Sequence, residues 1–263
     1  MAAARATIVA HEIDSNLKVG CMICGNMSYP LTPDPLDAIA RYENFQDFFC
    51  YSADTQMRGY YPPFAKRIWE RYGIKPEITE QDKEDLKNGK SDFIGFSYYA
   101  SGVVTTHKVE QNDHTAGNVL GTVKNPYLKA NAWGWQIDPV GFRHLMHLIN
   151  DRYNAPMFDV ENGIGLIETE GEDGICHDPA RIEYHREHIK EMKKAIEEGV
   201  NLFDYTTWGC IDLVSAGTGQ MDKKYGFIYV DMDDQGNGDL HRSRKDSFYW
   251  YKKVIASNGE DLD

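Results

Sequence analysis

Short apolar runs separate longer amphipathic stretches along the chain. Four of the runs, Lys18–Cys24, Asp92–Ser97, Met157–Glu161 and Leu202–Trp208, are short enough to be strands. The intervening stretches carry helical spacing. Around 139–152, Asp138 is placed as N-cap and Pro139 at the first helical position, and Phe142, Leu145, Leu148 and Ile149 share one face. A second helix opens the same way at Asp178-Pro179, carries Ile182, Ile189, Met192 and Ile196 on one face, and stops before Gly199. A third is predicted from Ser243, where Ser243-Arg-Lys-Asp246 resembles a capping box, through Tyr249-Trp250-Tyr251 towards Ser257. The stretch 35–72 holds at least one more helix. Strands alternating with helices predict βαβ units on a parallel sheet with right-handed crossovers. In such sheets the chemistry gathers at the carboxyl ends of the strands.

The segment Asp231–Asp239 reads as an acidic surface turn. Neither an internal repeat nor a low-complexity linker divides the chain, so residues 1–263 are expected to form one unit. With 41% hydrophobic, 26% charged and 12% aromatic residues it can bury a core. Its 263 residues would even admit a complete eight-stranded barrel, for which about 250 are typical. No run reaches the roughly 18 apolar residues of a membrane span. The start meets His11 and Glu12 before any apolar stretch suits a signal peptide, so the expectation is a soluble, cytoplasmic protein. A formal charge of −13 opposes nucleic acid and anionic lipid as partners. Any anionic ligand then needs a specific local site. Cys21-Met-Ile-Cys24 has zinc-like spacing, but no matching second pair follows, and buried thiols are expected in place of a metal site.

Three strand ends carry candidate chemistry. The third run ends in Glu161-Asn162-Gly163, a carboxylate followed by an amide and a glycine that allows a sharp turn. The fourth ends in Trp208-Gly209, where an indole face could hold the apolar face of a sugar, although a core tryptophan is the stronger reading of those residues alone. After the second comes Ser97-Tyr98-Tyr99, where a phenol could donate to a carboxylate.

With Arg58-Gly-Tyr-Tyr-Pro62, Asp92-Phe-Ile-Gly-Phe-Ser-Tyr-Tyr99, Gly134-Trp-Gln-Ile-Asp-Pro139, Val160-Glu-Asn-Gly163, Trp208-Gly-Cys-Ile-Asp212 and Lys223-Lys-Tyr-Gly-Phe-Ile-Tyr229 in this order, the chain resembles the C-terminal half of a glycoside hydrolase family 1 enzyme. Within that family it is most similar to bacterial 6-phospho-β-glucosidases. The resemblance implies an α/β fold of the (β/α)₈ TIM-barrel type, with this chain supplying about strands five to eight, and retaining hydrolysis of 6-phospho-β-glucosides without a cofactor. It implies Glu161 as nucleophile, Tyr99 as the phenol that orients it, and Trp208 as a wall of the glycone site. Ordinary members carry a Glu that accepts from free sugar hydroxyls where this sequence has Ser215. A carboxylate beside a 6-phosphate would oppose like charges, whereas a hydroxyl donates to it. With Lys223 and Tyr225 downstream, Ser215 completes the phosphate-binding trio that the resemblance implies.

Two departures stand out. Asp159 occupies a position usually aliphatic, and strand alternation would aim it the same way as Glu161, one layer below, where an ionised carboxylate would cost stability. Asp204 stands where relatives usually have Gly, and the sequence offers no account of it. The acid/base of the family lies in an Asn-Glu-Pro-like motif, and Asn-Glu occurs nowhere in the chain. Retention needs two carboxyl groups about 5–5.5 Å apart, so little activity is expected of this chain by itself. The implied partners are a phosphorylated β-glucoside and, to complete the barrel, a complementing N-terminal half or a second copy in a homo-oligomer. The competing reading is a non-catalytic phospho-sugar binding or interaction module, or an inactive remnant. A nucleotide binder is disfavoured, since no glycine-rich phosphate loop is present.

Overall fold

The computed structural model describes residues 1–110, 114–115 and 122–263. After helix α1 (Ala2–Ile13) comes strand β1 (Gly20–Pro30), then α2 (Pro35–Phe45), continued by a π-helical turn at Gln46–Cys50 into α3 (Tyr51–Arg58). Helices α4 (Ala65–Arg71) and α5 (Glu80–Asn88) precede β2 (Phe93–Val104), α6 (Pro139–Tyr153), β3 (Met157–Asn162), α7 (Pro179–Glu197) and β4 (Leu202–Thr207). A hairpin of β5 (Ile228–Val230) and β6 (Arg242–Arg244) leads into α8 (Asp246–Ala256). Strands β1 to β4 lie side by side in sequence order, all parallel.

The predicted strands are therefore all present. Helix α6 starts as expected, with the Asp138 carboxylate accepting from the Gly141 N–H at 2.8 Å. Asp178 flanks α7 but caps no N–H of that helix; it accepts from the backbone N–H and hydroxyl of Ser247 and from the Arg181 guanidinium instead. The third predicted helix begins at Asp246, not Ser243, because 242–244 pair antiparallel with β5. Ser243 spends its hydroxyl on Glu170. Helices α1 and α5 lie outside the elements predicted from the sequence, although α5 opens with a capping box of Thr79 and Asp82.

Helices cover one face of the sheet. Ile23, Ile94, Phe96 and Met157 point into it and meet Phe142, Leu145, Met146 and Ile149 of α6 and Ala195 of α7. Each side chain of this size contributes about 1.5–3 kcal/mol when fully buried. The opposite face is open, with Met22 at 50% and Phe203 at 53% exposure. Cys24 lies on that face and is exposed, so of the Cys21–Cys24 pair only Cys21 is a buried thiol. Each outer strand, β1 and β4, has one neighbour, leaving both sheet edges unpaired among the described residues. Four parallel strands, helices on one side and a bare concave-type face on the other make this a partial (β/α)₈ barrel.

One local feature reverses an expectation. Ser97 pairs with Glu161 while Phe96 pairs with Asp159, so β3 carries an extra residue between them. This bulge breaks strand alternation. Val160 and Glu161 both serve the open side, and Asp159, with no exposure, lies on the helix side near Tyr184 and Tyr205. Asp204 sits on the exposed edge strand, its carboxylate accepting from the Tyr205 N–H and otherwise solvated.

Candidate active site

At the carboxyl end of β3 the bulge delivers Glu161 to the open face, where the Tyr99 hydroxyl donates to its Oε2 at 2.8 Å. Burial first, then the bond to Glu161 and its charge, push the Tyr99 phenol upward, so it stays a donor. Next along the chain, Asn162 points the other way and braces the site. Its amide donates to the Tyr98 carbonyl at 2.7 Å and to the Tyr184 hydroxyl at 3.2 Å, and accepts from the Tyr205 hydroxyl at 2.8 Å. One side chain thus ties β2, β3, β4 and α7 together immediately below the carboxylate.

Gly163 is required for close approach. A Cβ there would lie 2.0 Å from the Trp208 carbonyl oxygen. The Trp208 N–H donates to the Asn162 carbonyl at 2.9 Å, which sets the indole beside the cleft; the Trp208–Gly209 peptide is cis. Tyr99, Trp135, Glu161, Trp208, Ser215 and Tyr225 all border one cleft of about 370 Å³.

The loop after β4 supplies the far wall. Ser215 and Tyr225 bring their hydroxyls to 3.4 Å of each other. Lys223 is 1% exposed, and its ammonium lies 4.0 Å from the centroid of the Trp135 ring and 5.5 Å from that of Tyr225. Burial alone lowers it to about 8, with no carboxylate in ion-pair range among the described residues to oppose the shift. Lys224 is buried too, donating to the carbonyls of Val230 and Met232 at 2.9 and 2.7 Å. Neither lysine is the solvated surface residue that two adjacent lysines in a loop would suggest.

A buried polar network holds this wall, and little of it is visible in the sequence. Arg181, with no exposure, donates to the carbonyls of Ile164, Tyr225 and Lys224 at 2.9, 2.8 and 3.0 Å. It also pairs with Glu168 at 2.7 Å and Asp178 at 3.1 Å. Lys245 bridges Glu168 and Asp212 at 2.6 and 2.9 Å, and Asp212 accepts the Gly226 and Val230 N–H groups. The i,i+3 pairing of Asp178 with Arg181 is the one part visible in the sequence. The structure therefore brings together all six residues singled out from the sequence, and adds Asn162, Trp135 and Arg181.

A partial (β/α)₈ barrel with a phenol-held carboxylate at a strand end and a hydroxyl-lined wall opposite has the architecture of one half of a barrel of the glycosidase type. The sequence profile of glycosyl hydrolase family 1 matches residues 1–260, and the chain belongs to that family. It is 48% identical over 263 residues to the 6-phospho-beta-glucosidase AscB of Escherichia coli (strain K12), covering 100% of this chain and 55% of that protein. Identity to the aryl-phospho-beta-D-glucosidase BglH of Bacillus subtilis (strain 168) is 48% over 262 residues, covering 100% of this chain and 55% of that protein. Among solved structures, the family 1 β-glucosidase from Thermotoga maritima superposes with a TM-score of 0.82 at 28% identity, over 98% of this chain and 55% of that one. The chain thus spans about half the length of the relatives it matches.

Proposed function

We propose that this chain carries the nucleophile and phosphate-gripping half of a retaining 6-phospho-β-glucosidase site. Glu161 attacks the anomeric carbon, the C1–O bond to the aglycone breaks, and a glycosyl ester forms on the carboxylate. Tyr99 fixes the attacking oxygen. Trp208 faces the sugar, and Ser215, Lys223 and Tyr225 hold the 6-phosphate. The acid/base carboxyl that protonates the leaving oxygen comes from outside these residues, supplied by a complementing half of the barrel. The observation that carries this reading is the pairing in one cleft of a phenol-bonded carboxylate with a hydroxyl pair, backed by a lysine that lies against the cleft residues Trp135 and Tyr225 with no carboxylate in ion-pair range among the described residues. The names of the relatives support the phosphorylated glucoside as substrate class.

Calorimetric titration with glucose 6-phosphate and with glucose tests the phosphate grip. The phosphorylated sugar is expected to bind more tightly. Its phosphate becomes dianionic above a pKa of about 6, and Lys223 loses its charge as pH rises through about 8. Binding should therefore be strongest between these values and weaken above the upper one. Equal affinity for the two sugars, or a preference that persists in Lys223→Met, would count against the assignment.

A further inference from the structure

A buried lysine ordinarily finds a carboxylate; Lys223 finds rings. Besides Trp135 and Tyr225, its ammonium lies 5.1 Å from the centroid of Trp133. We infer that Trp133 and Trp135 form an aromatic housing that takes the place of a counterion for Lys223, and that this housing sets the preference of the cleft for a phosphorylated sugar, with Trp133 as a positioning residue. The inference rests on the phosphate reading above.

The electrostatics favour rings over a carboxylate. An acidic neighbour would neutralise the lysine, would have to be displaced by the ligand, and would repel a phosphate dianion. The ring faces attract the cation without adding net negative charge. They offset part of the desolvation that depresses Lys223, and the charge remains available when the dianion arrives. The other titratable groups bordering the cleft are the phenols of Tyr225 and Tyr99 and the thiol of Cys24, all pushed upward chiefly by desolvation and so neutral, and Glu161 at its far side.

The housing is held in place from several directions. The Asn131 side-chain oxygen accepts from the N–H groups of both Trp133 and Trp135 at 3.0 Å, and its amide donates to the Gly165 carbonyl at 3.1 Å. Gly165 gives the lysine its track: a Cβ there would lie 2.6 Å from the Lys223 Cε. The Trp133 indole N–H donates to Gln220 Oε1 at 2.8 Å, and Gln220 donates onward to Asp234 at 3.2 Å. The Trp135 indole N–H, in contrast, is buried with no acceptor among the described residues, on a side chain 6% exposed that borders the cleft. A buried donor without a partner is costly unless a ligand oxygen completes it.

The test uses the whole chain with Trp133→Leu and Trp133→Phe, folding being checked by circular dichroism. Lysine-labelled protein gives the Lys223 pKa by NMR without ligand, the resonance being assigned by its loss in Lys223→Met. Trp133→Leu should lower that pKa by roughly half a unit or more. It should also reduce the ratio of glucose 6-phosphate to glucose affinity by roughly three- to thirtyfold. Trp133→Phe, which keeps a ring face, should stay near the parent in both. If Trp133→Leu does not fold, Gln220→Ala, which releases the Trp133 indole, should move both readouts in the same direction. An unchanged Lys223 pKa in a folded variant overturns the housing. A lowered pKa in a protein whose parent shows no phosphate preference overturns the phosphate reading and the role in selectivity with it.

Discussion

Asp159 and Glu161 are two positions apart on one strand and have opposite surroundings. Glu161 opens on the cleft with a phenol at 2.8 Å, whereas both oxygens of Asp159 are buried without a partner among the described residues. Burial, and then the charge of Glu161, holds the Asp159 carboxyl well above the usual range, which favours its protonated form in the folded protein. The unfolded chain ionises this group near 4 and gains stability as pH rises further, which the folded state cannot match. Its contribution is therefore least unfavourable at low pH and worsens from about pH 4 upward. Asp159→Val should raise the melting temperature at pH 7 by roughly 2–8 °C, given about 1–3 kcal/mol for an unsatisfied buried polar group. The gain should shrink at pH 4. A variant that melts no higher than the parent at pH 7 would show that Asp159 has a partner in solution.

At the scale of elements, the apolar runs announced all four parallel strands, and the Asp-Pro pairs marked the start of α6 and α7 to the residue. What escaped was whatever depends on backbone irregularity or on distant partners. The bulge in β3 leaves no mark in the hydrophobic pattern, so alternation aimed Asp159 at the wrong face. Ser243 and Asp246 have capping-box chemistry, but pairing of 242–244 with β5 overrides it. Glu161, Tyr99, Trp208, Ser215, Lys223 and Tyr225 were legible through resemblance, not through their spacing. The clamp on them was not, because Arg181 joins carbonyls from two loops that approach only once the chain is folded. Arg181→Met should leave Asp178 without its cation and Glu168 with Lys245 alone, and cost about 3–5 kcal/mol, read as a lower urea midpoint. Arg181→Lys should restore little, since an ammonium cannot span the same set of acceptors. A midpoint unchanged in Arg181→Met would mean the clamp does not hold the two loops.

For the whole molecule, the open face and the two unpaired edges give the length a different meaning. A chain of 263 residues matches the size of a minimal barrel, yet here the sheet has four strands and the cleft is walled on one side by the loops after β3 and β4. In the proposed division of labour this half performs the step that needs a nucleophile and a phosphate grip, and the complementing half performs the proton transfers, for which general acid–base catalysis supplies roughly 10²–10⁴-fold. A substrate with an acidic leaving group separates the two, because dinitrophenolate departs without protonation while the ester on the nucleophile still awaits a base for hydrolysis. The most direct measurement is peptide mass spectrometry of the chain after incubation with dinitrophenyl 6-phospho-β-glucoside. The account predicts a phosphoglucosyl ester on Glu161 that accumulates with released dinitrophenolate and is absent from Glu161→Gln. Dinitrophenolate release with no label on Glu161, or the same labelling in Glu161→Gln, would contradict it.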